Sequence, residues 1–81
     1  MDPIVYENIK KIRELKNLTR EYVADELKMS TSGYGKIERG EVDLTVSKLV
    51  KIAKVLNVTI EFIFKFNVSN FFNDTYNTKM Y

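Results

Sequence analysis

Apolar residues recur at helical spacing in five separate stretches of this chain, and this pattern predicts an all-α fold. The first helix should span residues 3–16, because Asp2 followed by Pro3 is a favourable helix start. The fourth should begin after Thr45 and end at Asn57, which tolerates the left-handed backbone of a helix end, and a short fifth should follow. The positions expected to face the core on these helices are Val5, Ile9, Ile12, Leu15 and Leu18, then Val46, Leu49, Val50, Ile52, Ala53 and Leu56, then Ile60 and Ile63.

Two shorter helices are predicted between the first and the fourth, joined by a tight turn at Lys28. Thr19 can cap the first of the pair and Ser30 the second. Lys28 must either adopt a costly left-handed backbone or be spared it by a different turn geometry. Gly33 and Gly35 weaken the second helix, which must be held by tertiary packing. The apolar positions are Val23, Ala24 and Leu27 on the first helix, then Met29, Tyr34 and Ile37 on the second.

Four segments of this layout resemble, in their order, the Cro and phage-repressor (lambda-repressor-like, XRE) helix-turn-helix family of DNA-binding regulators. The segments are RELK at 13–16, VADEL at 23–27, KIERG at 36–40 and KIAKVLNV at 51–58. The resemblance extends over about residues 4–64. It implies a compact five-helix, lambda-repressor-like DNA-binding domain at 1–64, with the helix-turn-helix proper at 19–39 and a short aromatic, asparagine-rich C-terminal tail at 65–81. It also implies a sequence-specific transcriptional regulator of double-stranded DNA, with the helix at 31–39 in the major groove.

The resemblance places Thr31, Ser32 and Lys36 at positions that contact base edges, and Gly35 shares their face of the helix. Lys36 is the strongest candidate, because its amine can reach guanine O6 and N7. Thr31 and Ser32 could equally bond phosphates or support the start of the helix. The glycines of this helix would either let the backbone approach DNA closely or leave thymine methyl groups without a contact.

Thr19 and Arg20 are predicted to bind DNA phosphates, because backbone amides, a hydroxyl and a guanidinium converge at a helix N-terminus. Arg39 should also lie near the phosphate backbone, as the resemblance implies. Glu41 and Asp43 follow it in the chain, and their negative charge should weaken binding to DNA.

Arg13 and Glu38 are expected to have a structural role. In similar proteins, residues at these two places form an ion pair that ties the first helix to the end of the recognition helix. Removal of one partner from a partly buried pair would leave an unpaired charge.

Composition removes several classes of function. The 81 residues carry 13 basic and 11 acidic side chains, a net charge of +2, so no global field indicates nucleic acid. The chain has neither cysteine nor histidine. This excludes disulfides, the usual zinc sites, thiol nucleophiles and imidazole catalysis. We therefore expect no enzyme, no metal and no cofactor. Neither a signal peptide nor an apolar run of membrane-spanning length is present, so the cytoplasm is the expected location.

The C-terminal tail is richer in aromatic residues than disordered tails usually are. Its rings are Phe66, Phe71, Phe72, Tyr76 and Tyr81, set among four asparagines. They are expected to pack on the domain, on a second copy or on a partner, and the alternating residues Phe62, Phe64, Phe66 and Val68 could form an edge strand. The tail is therefore the candidate dimerisation segment of a DNA-binding homodimer. The alternative is an antitoxin-like or accessory module that uses the same fold to hold a partner protein, with weak or no DNA binding.

Overall fold

A computed structural model describes residues 1–67, and five helices make up the secondary structure of that part of the chain. They are α1 (Pro3–Leu15), α2 (Arg20–Glu26), α3 (Thr31–Glu38), α4 (Val46–Leu56) and α5 (Ile60–Lys65). The predicted all-α, five-helix fold is confirmed. Among residues 1–67, no helix is long and apolar enough to cross a membrane.

Each helix begins at a residue whose side-chain oxygen accepts a hydrogen bond from a backbone amide two or three positions further on. The N-caps are Asp2, Thr19, Ser30, Thr45 and Thr59, and their oxygens lie 2.9–3.1 Å from the amides of Ile4, Tyr22, Gly33, Lys48 and Phe62. Each cap satisfies an amide that a helix start leaves without a partner, and contributes about 1 kcal/mol. The sequence therefore determines the helix starts locally.

The ends of α1, α2, α3 and α4 also share one geometry. At each end a left-handed residue donates its amide three residues back, and the next amide donates five residues back, which is the Schellman arrangement. The left-handed residues are Asn17, Lys28, Gly40 and Asn57, with φ angles of 58°, 57°, 70° and 58°. Lys28 therefore adopts the costly backbone, whereas Asn57 adopts the left-handed turn predicted for it.

Three of these helix ends pass directly into the next helix through one tripeptide pattern. Residues 17–19, 28–30 and 57–59 each hold a left-handed residue, an apolar residue packed against the core and a hydroxyl N-cap. We call these segments the α1–α2, α2–α3 and α4–α5 corners. Met29 accordingly lies in the α2–α3 corner, not on the helix to which the apolar pattern assigned it.

The five helices enclose one apolar core, in which α1 packs against α3 and α5, α2 against α3 and α4, and α4 against α5. Two predicted core positions are wrong: Leu15 at the end of α1 is 44% exposed and Val46 at the start of α4 is 70% exposed. On α4 the buried residues are Leu49, Ile52, Ala53 and Leu56. Val46 lies about 70° from the centre of that face at 3.6 residues per turn and is the first residue of the helix, so it stands at the rim of the buried face and is exposed.

The chain after α4 forms the short fifth helix that the sequence predicted. Phe62 and Phe64 both lie on α5, so the predicted edge strand is wrong for the described part of the run. Phe66 follows the helix and is buried in the core. The remaining predictions for the tail concern residues 68–81, which lie outside the described residues.

Candidate nucleic-acid interface

The N-terminus of α2 presents a hydroxyl and a guanidinium together. Thr19 accepts a hydrogen bond of 3.0 Å from the amide of Tyr22, and Arg20 is the first residue of the helix. Arg20 is exposed and makes no ion pair with any of residues 1–67. Its positive charge is therefore available to an anion at the end of the helix that carries the positive dipole.

α3 has one polar and one apolar face. Thr31, Ser32 and Lys36 are exposed, whereas Tyr34 and Ile37 are buried in the core. The 3.6-residue period of the helix separates the two sets, so burial of the apolar face turns the hydroxyls and the amine outward. This arrangement can present hydrogen-bond donors and acceptors to base edges.

The two glycines of α3 have neighbours that a side chain would disturb. A Cβ on Gly33 would lie 3.0 Å from Oγ of Ser30, whose hydroxyl caps the helix. A Cβ on Gly35 would lie 3.0 Å from Nη1 of Arg39. Gly35 is buried beneath that side chain, whereas the sequence placed it on the exposed polar face. Packing within the domain therefore gives each glycine a role that the sequence did not indicate.

Arg39 does not extend freely from the end of α3. Its Nε donates a hydrogen bond to Oε2 of Glu41, and the two groups form an exposed ion pair. The hydrogen bond from Arg39 lowers the pKa of the Glu41 carboxyl, and the nearby charge of Lys36 acts in the same direction. The negative charge that the sequence placed after α3 is thus directly bound to one of the candidate DNA contacts.

Arg13 and Glu38 form a buried, two-pronged ion pair. Nε of Arg13 lies 2.6 Å from Oε2 of Glu38, and Nη2 lies 3.1 Å from Oε1. Nη1 donates a third hydrogen bond, of 2.8 Å, to the carbonyl of Leu18 in the α1–α2 corner. The hydrogen bonds to Glu38 raise the pKa of Arg13. The pair thereby joins α1, this corner and the end of α3, and it fixes the angle at which α3 leaves the core.

Three side chains to which the sequence interpretation gave no polar role carry buried polar groups. Asn8 donates a hydrogen bond of 2.8 Å to the carbonyl of Ile63, and the hydroxyl of Tyr6 accepts one of 3.3 Å from the amide of Leu44. The hydroxyl of Tyr34 is buried near the Arg13–Glu38 pair, has no hydrogen-bond partner among the described residues, and has its pKa raised by burial. Asn8 stands next to Ile9 on α1 and is buried with it, and a buried polar side chain needs a hydrogen-bond partner of this kind.

An open depression of about 600 Å³ lies between the N-terminal parts of α2 and α3. It is lined by Thr19, Glu21, Tyr22, Asp25, Met29, Ser30 and Thr31. Two carboxylates thus stand beside the hydroxyls that are candidates for DNA contact. The interface combines donors with fixed negative charges, which would repel a phosphate placed in the depression.

Comparisons with known proteins agree with this geometry. A model of the helix-turn-helix family matches residues 9–63. The SPbeta prophage-derived uncharacterized HTH-type transcriptional regulator YonR of Bacillus subtilis (strain 168) is 32% identical over 73 residues, which cover 84% of this chain and 68% of YonR. The control protein C.SmaI of Serratia marcescens is 33% identical over 57 residues, which cover 70% of this chain and 68% of C.SmaI.

A solved structure has the same architecture. The crystal structure of the restriction-modification controller protein C.AhdI from Aeromonas hydrophila superposes with a TM-score of 0.69. The match covers 76% of this chain and 96% of C.AhdI at 22% sequence identity. At that identity the likeness shows the fold alone.

Proposed function

This chain belongs to the XRE-type helix-turn-helix family, and we propose from that premise that it is a transcriptional regulator that binds double-stranded DNA with α3 in the major groove. The resemblance predicted from the four sequence segments is confirmed by these matches. The observation that carries the proposal is the exposed polar face of α3, which lies beside an α2 N-terminus where Arg20 has no partner among residues 1–67.

Each contact has a distinct role in this proposal. Lys36 donates to a guanine edge, while Thr31 and Ser32 bond either bases or phosphates at the start of α3. Thr19 and Arg20 bind a phosphate at the start of α2, where the helix dipole favours an anion. A regulator of this kind acts where its DNA is, so we place it in the cytoplasm and assign it no cofactor and no catalytic reaction.

Selection of bound duplexes from a random pool, followed by anisotropy titrations, tests the base contact. Lys36→Ala should cost about 1–3 kcal/mol on the selected site and relax the preference at one base pair. Lys54→Ala removes an exposed lysine of α4 and serves as the control, with affinity and preference unchanged. Equal losses on all sequences would make Lys36 a phosphate contact.

The salt dependence of binding tests the phosphate contact. Arg20→Ala should weaken binding to selected and random duplexes alike, and it should reduce the slope of log affinity against log salt by about one. If the affinity of Arg20→Ala at low salt is unchanged, Arg20 does not contact DNA.

The regulator acts as a homodimer in this proposal, because a single α3 covers only a few base pairs and two copies reach half-sites about 34 Å apart. An apolar groove of about 190 Å³ supports the proposed homodimer, because it offers an exposed apolar surface for a contact between two copies. Its walls include the half-exposed Leu15 and Phe62. The rings of Phe62 and Phe66 lie 5.5 Å apart in its wall.

Sedimentation at tens of micromolar tests the dimer. The full chain should sediment as a dimer. Truncation after Asn67 keeps the groove and the buried Phe66 but removes most of the candidate dimerisation segment, so it should give a folded monomer that retains contact with a single half-site. A monomeric full chain contradicts the homodimer. A dimeric truncated chain assigns the contact to residues 1–67, and Phe62→Glu in that chain then tests the groove.

One observation favours a second function, a module that holds a partner protein. Glu21 and Asp25 make the surface between α2 and α3 locally acidic, and Arg39 is neutralised by Glu41. A gel shift against random duplex at low salt separates the two functions, because a DNA-binding regulator retains weak non-specific affinity under those conditions. No shift there, together with no duplex recovered by selection, would favour the partner-protein module.

A further inference from the structure

The backbone at the end of α3 returns Glu41 to the last turn of the helix. The amide of Gly40 donates to the carbonyl of Ile37 at 3.0 Å, and the amide of Glu41 donates to the carbonyl of Lys36 at 2.9 Å. Gly40 has a φ of 70°, a conformation that glycine adopts without steric cost. The Schellman end therefore holds the Glu41 backbone beside the turn from which Arg39 projects.

The missing side chain of Gly35 makes room for the Arg39 guanidinium. The position of a Cβ on Gly35 lies 3.0 Å from Nη1, 3.8 Å from Cζ and 3.9 Å from Nη2 of Arg39. Gly35 lies four residues before Arg39, one turn back on the same helix face. An alanine at position 35 would require the guanidinium to shift slightly away from the helix.

Arg39 is thus held on two sides in the free protein. Its Nη atoms lie over Gly35, and its Nε donates to the Glu41 carboxylate. Both side chains of the pair remain about half exposed, at 51% and 49%, so water and anions can reach them. An exposed ion pair of this kind contributes only about a factor of two to five to an equilibrium, so a well-placed phosphate can displace the carboxylate.

We propose that Glu41 is a specificity-determining residue that competes with DNA phosphate for Arg39. The inference rests on the proposed DNA-binding function. On a random duplex α3 is not docked in a fixed register, so no phosphate is held close enough to displace Glu41, and the carboxylate adds repulsion. On the selected site the base contacts of α3 fix the register and bring a phosphate to Arg39. Because the Arg39–Glu41 pair has to be broken only where a phosphate takes Arg39, Glu41 lowers affinity for the selected site more than affinity for random DNA.

Glu41→Gln tests this competition in the full chain. Affinity for the selected site should rise about two- to fivefold, affinity for a random duplex should rise less, and the ratio of selected-site affinity to random-duplex affinity should rise. Glu61→Gln is the matched control, because it breaks the exposed Lys65–Glu61 pair on α5 with the same change in net charge. The control should leave the ratio unchanged. An unchanged ratio in Glu41→Gln, or a fall in the ratio, overturns the inference.

A second comparison separates competition for Arg39 from simple repulsion of DNA. In an Arg39→Gln background, Glu41→Gln should no longer change the ratio, because the side chain for which it competes is absent. A full effect of Glu41→Gln in that background overturns the inference in favour of repulsion.

An NMR measurement on the free protein is independent of DNA. The Nε–Hε resonance of Arg39 should shift and exchange faster with water in Glu41→Gln, and it should stay unchanged in Glu61→Gln. An unaltered Arg39 resonance in Glu41→Gln overturns the inference. A native chain that binds no duplex overturns the proposed function, whereas a native chain that binds DNA with an unchanged ratio in Glu41→Gln overturns this inference alone.

Discussion

The α2–α3 and α4–α5 corners have the same backbone but different residues at its most demanding point. The φ angle is 57° at Lys28 and 58° at Asn57. The two Schellman hydrogen bonds measure 3.0 and 2.9 Å in the first corner and 3.1 and 3.0 Å in the second. Asparagine tolerates the left-handed region better than other non-glycine residues, whereas lysine has no such advantage. The apolar residue and the hydroxyl cap, which the two corners share, therefore specify the backbone of the corner. The identity of the left-handed residue sets the conformational free energy that this backbone requires.

The surroundings of the two corners differ as well. Lys28 lies at a surface depression that Lys51 and Lys54 also line, and nothing in the structure accounts for a third lysine there. The α2–α3 corner joins the two helices that carry the proposed DNA contacts, whereas the α4–α5 corner joins helices that carry none. Costly backbone conformations are found preferentially at functional sites, and the costlier corner of this chain lies between the helices of the proposed DNA contacts.

The largest expected effect extends the comparison to the α1–α2 corner, which a buried ion pair holds through the Leu18 carbonyl. Glu38→Ala should lower the free energy of unfolding by about 3 kcal/mol, because it leaves the Arg13 guanidinium buried without its partner. Urea denaturation measures the loss. Glu14→Ala, which removes an exposed carboxylate of α1, is the control and should have little effect.

The double variant checks that the loss belongs to the ion pair. Arg13→Ala combined with Glu38→Ala should lose less stability than the sum of the two single variants, because neither charge is then left alone. Strict additivity would mean that the two residues do not interact in solution, and that this corner is held in the same way as the other two.

The hydroxyl caps test whether the α2–α3 and α4–α5 corners are equivalent in stability. Ser30→Ala and Thr59→Ala should each cost about 1 kcal/mol, since each removes one hydrogen bond of 3.0 Å to a helix-start amide. Ser47→Ala, an exposed hydroxyl in the first turn of α4, is the control. Thermal melts measure the losses, and anisotropy should show weaker DNA binding for Ser30→Ala alone. Weaker binding in Thr59→Ala would contradict the division of roles between the corners.

Local chemistry made the helix starts and the left-handed Asn57 predictable from sequence. A capping hydroxyl acts within three residues, so the sequence alone indicates it. Which face of a helix is buried depends on how helices cross, and for that reason Val46 was placed in the core by its spacing but is exposed in the structure. The same limit explains why the sequence showed Lys28 in the turn but did not decide its backbone conformation.

The candidate site also has features that the sequence predicts and features that it does not. The exposure of Thr31 and Lys36 follows from the period of α3 and was predictable. Arg13 and Glu38 are 25 residues apart, so family resemblance indicated their pairing where periodicity could not. The position of Arg39 over Gly35 depends on the rotamer of a long side chain, which no sequence pattern specifies.

The smallest expected effect comes from exchanging the left-handed residues between the two corners. Lys28→Asn should raise the free energy of unfolding by about 0.5–1 kcal/mol, and Asn57→Lys should lower it by a similar amount, because the backbone is the same in both places. Lys16→Asn, at a right-handed helix end with φ of −90°, is the control and should give no gain. Urea denaturation of the three variants measures the differences. A loss in Asn57→Lys without a gain in Lys28→Asn would show that Lys28 makes a compensating interaction in the α2–α3 corner, and the two corners would then differ in more than the conformational cost of one residue.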